Sequence, residues 1–306
     1  MRRCLSLSAF IAVAVIIATL MLAGCQKREI EELMGTELFS LSLGKLDNQV
    51  DLFPSQSGNV EKKTTIAMRD GWFYVANGNS GKIMVFSSYG DLIFLLYNAQ
   101  MNPKPLFMNQ PGSAHAEPTK QGAAAGQGAA APRAAAQGAP ASPTSPAEVS
   151  TRAAVSYPFL DIGEIAVASD RTLYVEDGVP EARVVKDSAH GVLLTRVILR
   201  FDRKGRPQGY LGQEGIGGTP FPYIMALHVT AHDQLVVVTR LPQSWEVFWY
   251  SREGTLLYRV EIDSAHLPVL AQKGITPSLV NIIPDMQNPY LYLMVYIYRE
   301  PADDAS

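Results

Sequence analysis

The 306-residue sequence predicts an all-β protein built from recurring four-stranded sheets, and three observations predict it. Short apolar runs bounded by Gly, Pro, Asp and Asn dominate the chain, as expected for strands joined by tight turns. A unit of two hairpins, the first turning at an aspartate and the second at a glycine, recurs three times. A long Ala/Pro/Gly-rich segment interrupts these units and brings almost no large apolar side chains. With 47% hydrophobic and 18% charged residues the chain can bury a sizeable core, which excludes wholesale disorder. The formal net charge of −3 excludes a broad electrostatic footprint for nucleic acid.

The first element is a leader. Arg2 and Arg3 precede an apolar run from Ala9 through Leu22, broken only by Thr19, and small residues follow at Ala23 and Gly24. A charged start, a short apolar stretch and a small-residue cleavage point make a secretory signal, here residues 1–24. The run is short for a stable membrane span, so an uncleaved anchor is the weaker reading.

The ending Leu22-Ala23-Gly24-Cys25 resembles the lipobox of bacterial lipoproteins. The resemblance implies recognition of Leu22, Ala23 and Gly24 by a signal peptidase and cleavage before Cys25. It also implies a covalent diacylglycerol on the Cys25 thiol and an acyl chain on its new amino group; no other cofactor is expected. Two chains already suffice for stable anchoring, so the bilayer is the first expected partner. The other cysteine, Cys4, lies in the leader. The mature chain therefore has one cysteine, which excludes an internal disulfide, thiol catalysis and thiolate metal sites.

Residues 25–36, with the charged run QKREIEELMGT, read as a tether between lipid and fold. From Glu37 to Gly44 apolar and polar residues alternate at period two, and Val50 and Leu52 follow, so 37–53 reads as strand material at the head of a first unit spanning 37–110.

The aspartate-turn hairpins are Ile66 to Ala76 around Asp70, Ile165 to Asp177 around Asp170, and Leu227 to Thr239 around Asp233. Each is followed by a glycine-turn hairpin: Ile83 to Ile93 around Gly90, Ile198 to Pro207 around Gly205, and Val247 to Leu257 around Gly254. Four antiparallel strands per repeat is the unit of a β-propeller blade. Residues 157–299 carry the later units, and 300–306 form a tail. Residues 111–156 lack large apolar side chains, and their repeated Gly and Pro interrupt every candidate helix; they are expected to be a disordered insertion between blades.

The sequence Asp-turn, Tyr-Val, then a strand ending in Phe/Tyr-x-x-x-Gly is similar to NHL-type propeller repeats, here Tyr74-Val75 to Gly90 and Tyr174-Val175 to Gly205. The similarity covers 64–97, 160–212 and 223–263, with a partial copy at 279–299. Together with the stretch Leu211 to Pro222, the chain resembles spirochaete-type lipoproteins carrying this repeat, a family without an assigned activity. The resemblance implies a cell-envelope location and a propeller-like fold of about four blades. Only three complete repeats and half of another are visible, so the propeller is either incomplete or closed by the strands of 37–53, which would remove exposed sheet edges.

His228 and His232 are four residues apart, a weak metal-ligand spacing because the context is strand and turn. Asp187 to His190 and Asp263 to His266 hold the residue types of a nucleophile, base and acid, but adjacent residues rarely meet triad geometry, so turn formation is expected. The Gly212 to Gly218 loop lacks the Lys-Ser/Thr and helix of a phosphate cradle and reads as an inter-blade connection. In the last strand Tyr290, Tyr292, Met294, Tyr296 and Tyr298 share a face, a candidate partner surface that would otherwise be ordinary packing. Trp72, Trp245, Trp249 and Tyr250 fit inter-blade packing better than a carbohydrate platform.

These observations favour a lipid-anchored envelope module that binds a protein or peptide partner without catalysis. The alternative is an NHL-type metal-dependent lyase or hydrolase.

Overall fold

The computed structural model describes residues 35–53, 62–109, 152–263, 267 and 275–299. The chain divides into Met1–Glu37 and Leu38–Ser306. Of the first unit only 35–37 are described, exposed and without regular structure; every sheet belongs to the second. Leu22, Ala23, Gly24 and Cys25, most of the tether, the body of the insertion, Ser264 to His266 and the tail lie outside the described residues.

The structure is all-β, with three short 3-10 turns and no α-helix among the described residues. The first sheet contains β1 (Thr64–Arg69), β2 (Trp72–Asn77), β3 (Lys82–Phe86) and β4 (Leu92–Tyr97) as an antiparallel meander, with β5 (Ala153–Ser156) parallel to β4. The second contains β6 (Ile165–Val167) and β7 (Leu173–Gly178), then β10 (Arg196–Phe201), β11 (Pro207–Gly212) and β12 (Gly215–Ile216). Between β7 and β10 a separate hairpin is formed by β8 (Val185–Asp187) and β9 (Val192–Leu194). The third is β13 (Tyr223–Val229), β14 (Leu235–Arg240), β15 (Ser244–Tyr250) and β16 (Leu256–Asp263) in simple order. Last come β17 (Ile275–Pro284) and β18 (Leu291–Arg299), a two-stranded antiparallel hairpin.

The turns explain why each meander folds back where it does. Asp70, Arg171 and Asp233 have left-handed backbone in the first turn of each sheet, with φ of 50°, 66° and 57°. An aspartate in or beside that position helps by bonding backbone two residues on, as Asp170 does with the Thr172 N–H at 2.9 Å. The second turns use Gly90, Gly205 and Gly254, all at positive φ. These are the turn positions expected from the repeat.

Burial follows the pleat. Tyr74, Ala76, Ile83, Val85 and Leu96 of the first sheet pack with Ile165, Val175 and Phe201 of the second. The opposite face of the second sheet gives Ala166, Tyr174 and Ile198 to a core with Leu227, Val237 and Phe248 of the third, where Phe221 meets Phe248 edge-on at 5.2 Å. Beyond it, Val236, Val238, Trp245 and Trp249 pack on Leu279 and Ile282 of β17. Trp245, Trp249 and Tyr250 are thus buried between layers, the packing role expected of them, while Trp72 is only partly buried against the first core.

Two expectations are corrected. Residues 37–53 form no strand: they contain one isolated bridge, Leu43 to Val50, closed by Gly44 N–H to Val50 O and Val50 N–H to Ser42 O. Among the described residues this segment pairs with no strand of the final hairpin. Its apolar side chains, Phe39, Leu41 and Val50, lie instead on the outer face of the first sheet, with Phe39 edge-on to Phe73 at 5.2 Å. Burying the alternate residues against an existing sheet satisfies the same period-two pattern that a strand would. The insertion also ends earlier than composition suggested, because Ala153–Ser156 pairs along β4 from Phe94 to Tyr97 and covers that edge.

Candidate functional site

Charged side chains tie the sheets together at both ends of their first strands. Lys63, just before β1, lies 3.2 Å from Glu176 and 3.3 Å from Glu164 of the second sheet and donates to Ile224 O of the third at 2.8 Å. Burial pulls the Lys63 pKa down, but Glu176 and Glu164 outweigh it and leave it above the usual lysine value. Glu176 is fully buried, accepts from the Glu164 N–H at 2.7 Å and faces Arg196 Nε at 3.6 Å. A Cβ on Gly163 would sit 2.0 Å from the Glu176 carboxylate, so only glycine leaves room for it. Beside it, Asp177 accepts the Leu160, Asp161 and Gly178 N–H groups, and burial pushes its carboxyl up to about 6. Bases and backbone donors surround these acids and join the sheets here, while Glu176 Oε1 is buried without a hydrogen bond of its own.

The uncommitted surface is at the other end of the layers. The β17–β18 hairpin turns at Asp285 to Tyr290, and Ala231 N–H of the β13–β14 turn bonds Met286 O at 2.7 Å. Likewise Ser169 N–H of the β6–β7 turn bonds Asp233 of the β13–β14 turn at 2.7 Å. The β17–β18 turn thus meets the β13–β14 turn, as the β13–β14 turn meets the β6–β7 turn. In each complete sheet the second strand is paired on its far side; among the described residues no strand pairs with that side of β18. Leu291 and Val295 face the core, whereas Tyr292, Met294 and Tyr296 are 57%, 48% and 59% exposed. Tyr290 is exposed at the turn, and Tyr292 Oη donates to Asp285 Oδ2 at 2.9 Å. Tyr298 continues the strand in register with Thr276; its side chain lies outside the described residues. At the far side of the first sheet, Ile66 and Met68 of β1 are also exposed.

No protein-family model and no curated protein matches this chain.

The remaining sequence candidates fall in different settings. His228, on β13 opposite Val236, has a buried Nε2 without a hydrogen-bond partner, and burial holds its pKa below the usual histidine value. His232 is exposed in the following turn. Among the described residues no group of three or more His, Cys, Asp or Glu side chains could hold a metal ion. Asp187 bonds the Ala189 N–H at 2.9 Å and His190 Nδ1 at 2.7 Å, closing the β8–β9 turn, so the histidine is engaged by the aspartate within a turn and not by Ser188. The Gly212 to Gly218 loop is the β11–β12 hairpin, whose Gly212 and Gln213 carbonyls both accept from Tyr250 Oη.

Sequence reasoning missed a cleft of about 240 Å³ between the third sheet and the β17–β18 turn. Trp249 and Tyr258 line it from β15 and β16, His232 and Gln234 from the β13–β14 turn and the residue before β14, and Gln287 and Asn288 from the last turn. Its signal was there as aromatic and amide residues, but in three separate stretches of chain that only the packing of β17 on the third sheet brings together.

Proposed function

We propose that this chain is a lipid-anchored protein of the bacterial cell envelope, that its sheets are blades of a propeller left open beside β18, and that it binds a protein or peptide partner there without catalysis. The observation that carries the binding reading is the edge of β18, unpaired among the described residues, together with the exposed Tyr292, Met294 and Tyr296. An edge strand normally carries charge or proline against unwanted pairing, yet Leu291 to Tyr298 contains neither. An extended segment adding to such an edge gains main-chain hydrogen bonds, and alternate side chains give it register. The anchor reading is supported by the leader and by Leu22-Ala23-Gly24-Cys25 alone.

Photocrosslinkers placed at Tyr292 and Tyr296 in intact cells test the surface. A single adduct, absent when the crosslinker stands at exposed Tyr89, supports the reading; equal yields at all three sites overturn it. Labelling with an alkyne fatty acid tests the anchor, which predicts incorporation abolished by Cys25→Ser. Stoichiometric zinc or calcium lost on His228 or His232 substitution would replace the binding reading by the metal-dependent one.

A further inference from the structure

We propose that the cleft between the third sheet and the β17–β18 turn is a binding site for a neutral sugar unit. This is independent of the anchor and of strand addition at β18. At about 240 Å³ the cleft is smaller than the roughly 300–1,000 Å³ of pockets for drug-sized ligands, which suits one ring of an oligosaccharide. Among the described residues no aspartate, glutamate, lysine or arginine lines it. Apart from the His232 imidazole the lining offers only amide, hydroxyl, indole and phenol groups, which match the hydroxyls of an uncharged ligand better than they match a carboxylate or an ammonium.

The polar groups are also set in direction. Trp249 Nε1 donates to Gln234 Oε1 at 2.8 Å, which orients the amide oxygen toward the indole and leaves the Gln234 NH₂ free to donate. Asn288 Nδ2 donates to Asp285 Oδ1 at 3.3 Å, so the Asn288 amide oxygen is left to accept. A fixed donor and a fixed acceptor meet the requirement of hydroxyl groups, each of which can accept and donate. Tyr258, 58% exposed, supplies a ring with a polar tip against which the C–H face of a sugar can lie. A peptide would instead be expected along a strand edge, where its backbone could pair.

The test titrates the intact, detergent-solubilised protein with chitobiose, cellobiose and maltose, with digalacturonic acid and trialanine as charged and peptidic controls. Binding is read by calorimetry and by tryptophan emission. The proposal predicts saturable binding of at least one neutral disaccharide, weakened at least about tenfold in Tyr258→Ala and in Asn288→Ala, and retained in Tyr258→Phe. Asn288 is exposed, so its substitution leaves the fold intact and keeps the test informative if Tyr258→Ala destabilises the sheet. No saturation by any neutral sugar up to about 10 mM, the range of weak single-ring sites, overturns the proposal. Tighter binding of trialanine or the uronic acid also overturns it, as does sugar binding unchanged by both alanine variants.

Discussion

Ser169 donates both its backbone N–H and its hydroxyl to the carboxylate of Asp233, so the first turn of the second sheet is held by the first turn of the third. Arg69 of the first sheet approaches the same carboxylate at 3.7 Å, and Arg252 approaches at 3.9 Å. One nearly buried aspartate thus takes contacts from three sheets. Asp233→Ala removes the acceptor, leaves the Ser169 N–H without its partner and puts alanine at positive φ. It should cost about 3 kcal/mol, measured as a lowered urea midpoint with unchanged m-value. A loss below about 0.5 kcal/mol would mean that the turns are not coupled.

At the opposite end of the same strands, Glu176 is the hinge of the Lys63 and Arg196 contacts. Glu176→Ala leaves two partly buried cations without their shared anion and should cost about 3–5 kcal/mol. Glu176→Met combined with Lys63→Met should recover part of that loss, because it removes the desolvated charges as a pair. Chemical denaturation of the two variants side by side checks the sign.

Asp177 makes a distinct pH prediction. Its folded pKa of about 6 lies above its ordinary 3.8, so between these values the folded state binds the proton that the unfolded state has released. Stability from this group is therefore gained as pH falls from about 6 towards 4 and is absent at neutral pH. Asp177→Asn keeps a side-chain oxygen for the three N–H donors and should abolish that component of the pH dependence, seen in melting temperatures across pH 4–7.

Lys82 gives the converse case in the alkaline range. It is almost wholly buried in β3, donates to Leu46 O at 2.5 Å and faces Asp47 and Asp51 of the N-terminal segment. Burial lowers its pKa from 10.5 to about 8. Between these values the unfolded chain holds the extra proton, so stability should rise with pH over that window. Lys82→Met should remove the rise. It also removes one of the two donors to the Leu46 carbonyl, leaving only the Gln49 N–H, which should speed amide exchange across residues 43–51 while leaving the third sheet protected.

The β18 surface predicts a binding effect without a stability effect. Tyr292→Ser with Tyr296→Ser changes exposed side chains only, so the melting temperature should move by no more than a few degrees. Crosslinked partner yield should fall at least about tenfold if these rings anchor the contact. A variant that melts early and binds normally would reverse that assignment.

The sequence by itself determined the hairpins, because strand period and turn chemistry are local: Asp70, Gly90, Gly205, Asp233 and Gly254 each stand in a turn where their backbone or side chain is needed. It also determined which strand would carry the tyrosine stripe. It could not show where residues 37–53 would lie, since Phe39, Leu41 and Val50 satisfy the same alternation by packing on a sheet as by joining one. Nor could it bring Lys63 to Glu176, 113 positions away, or Trp249 to the turn holding Asn288. Those meetings follow from which faces stack, and stacking depends on shape and burial summed over whole sheets. Tertiary packing alone therefore decided that β18 keeps a bare edge among the described residues and that a cleft lined without aspartate, glutamate, lysine or arginine opens against the last turn.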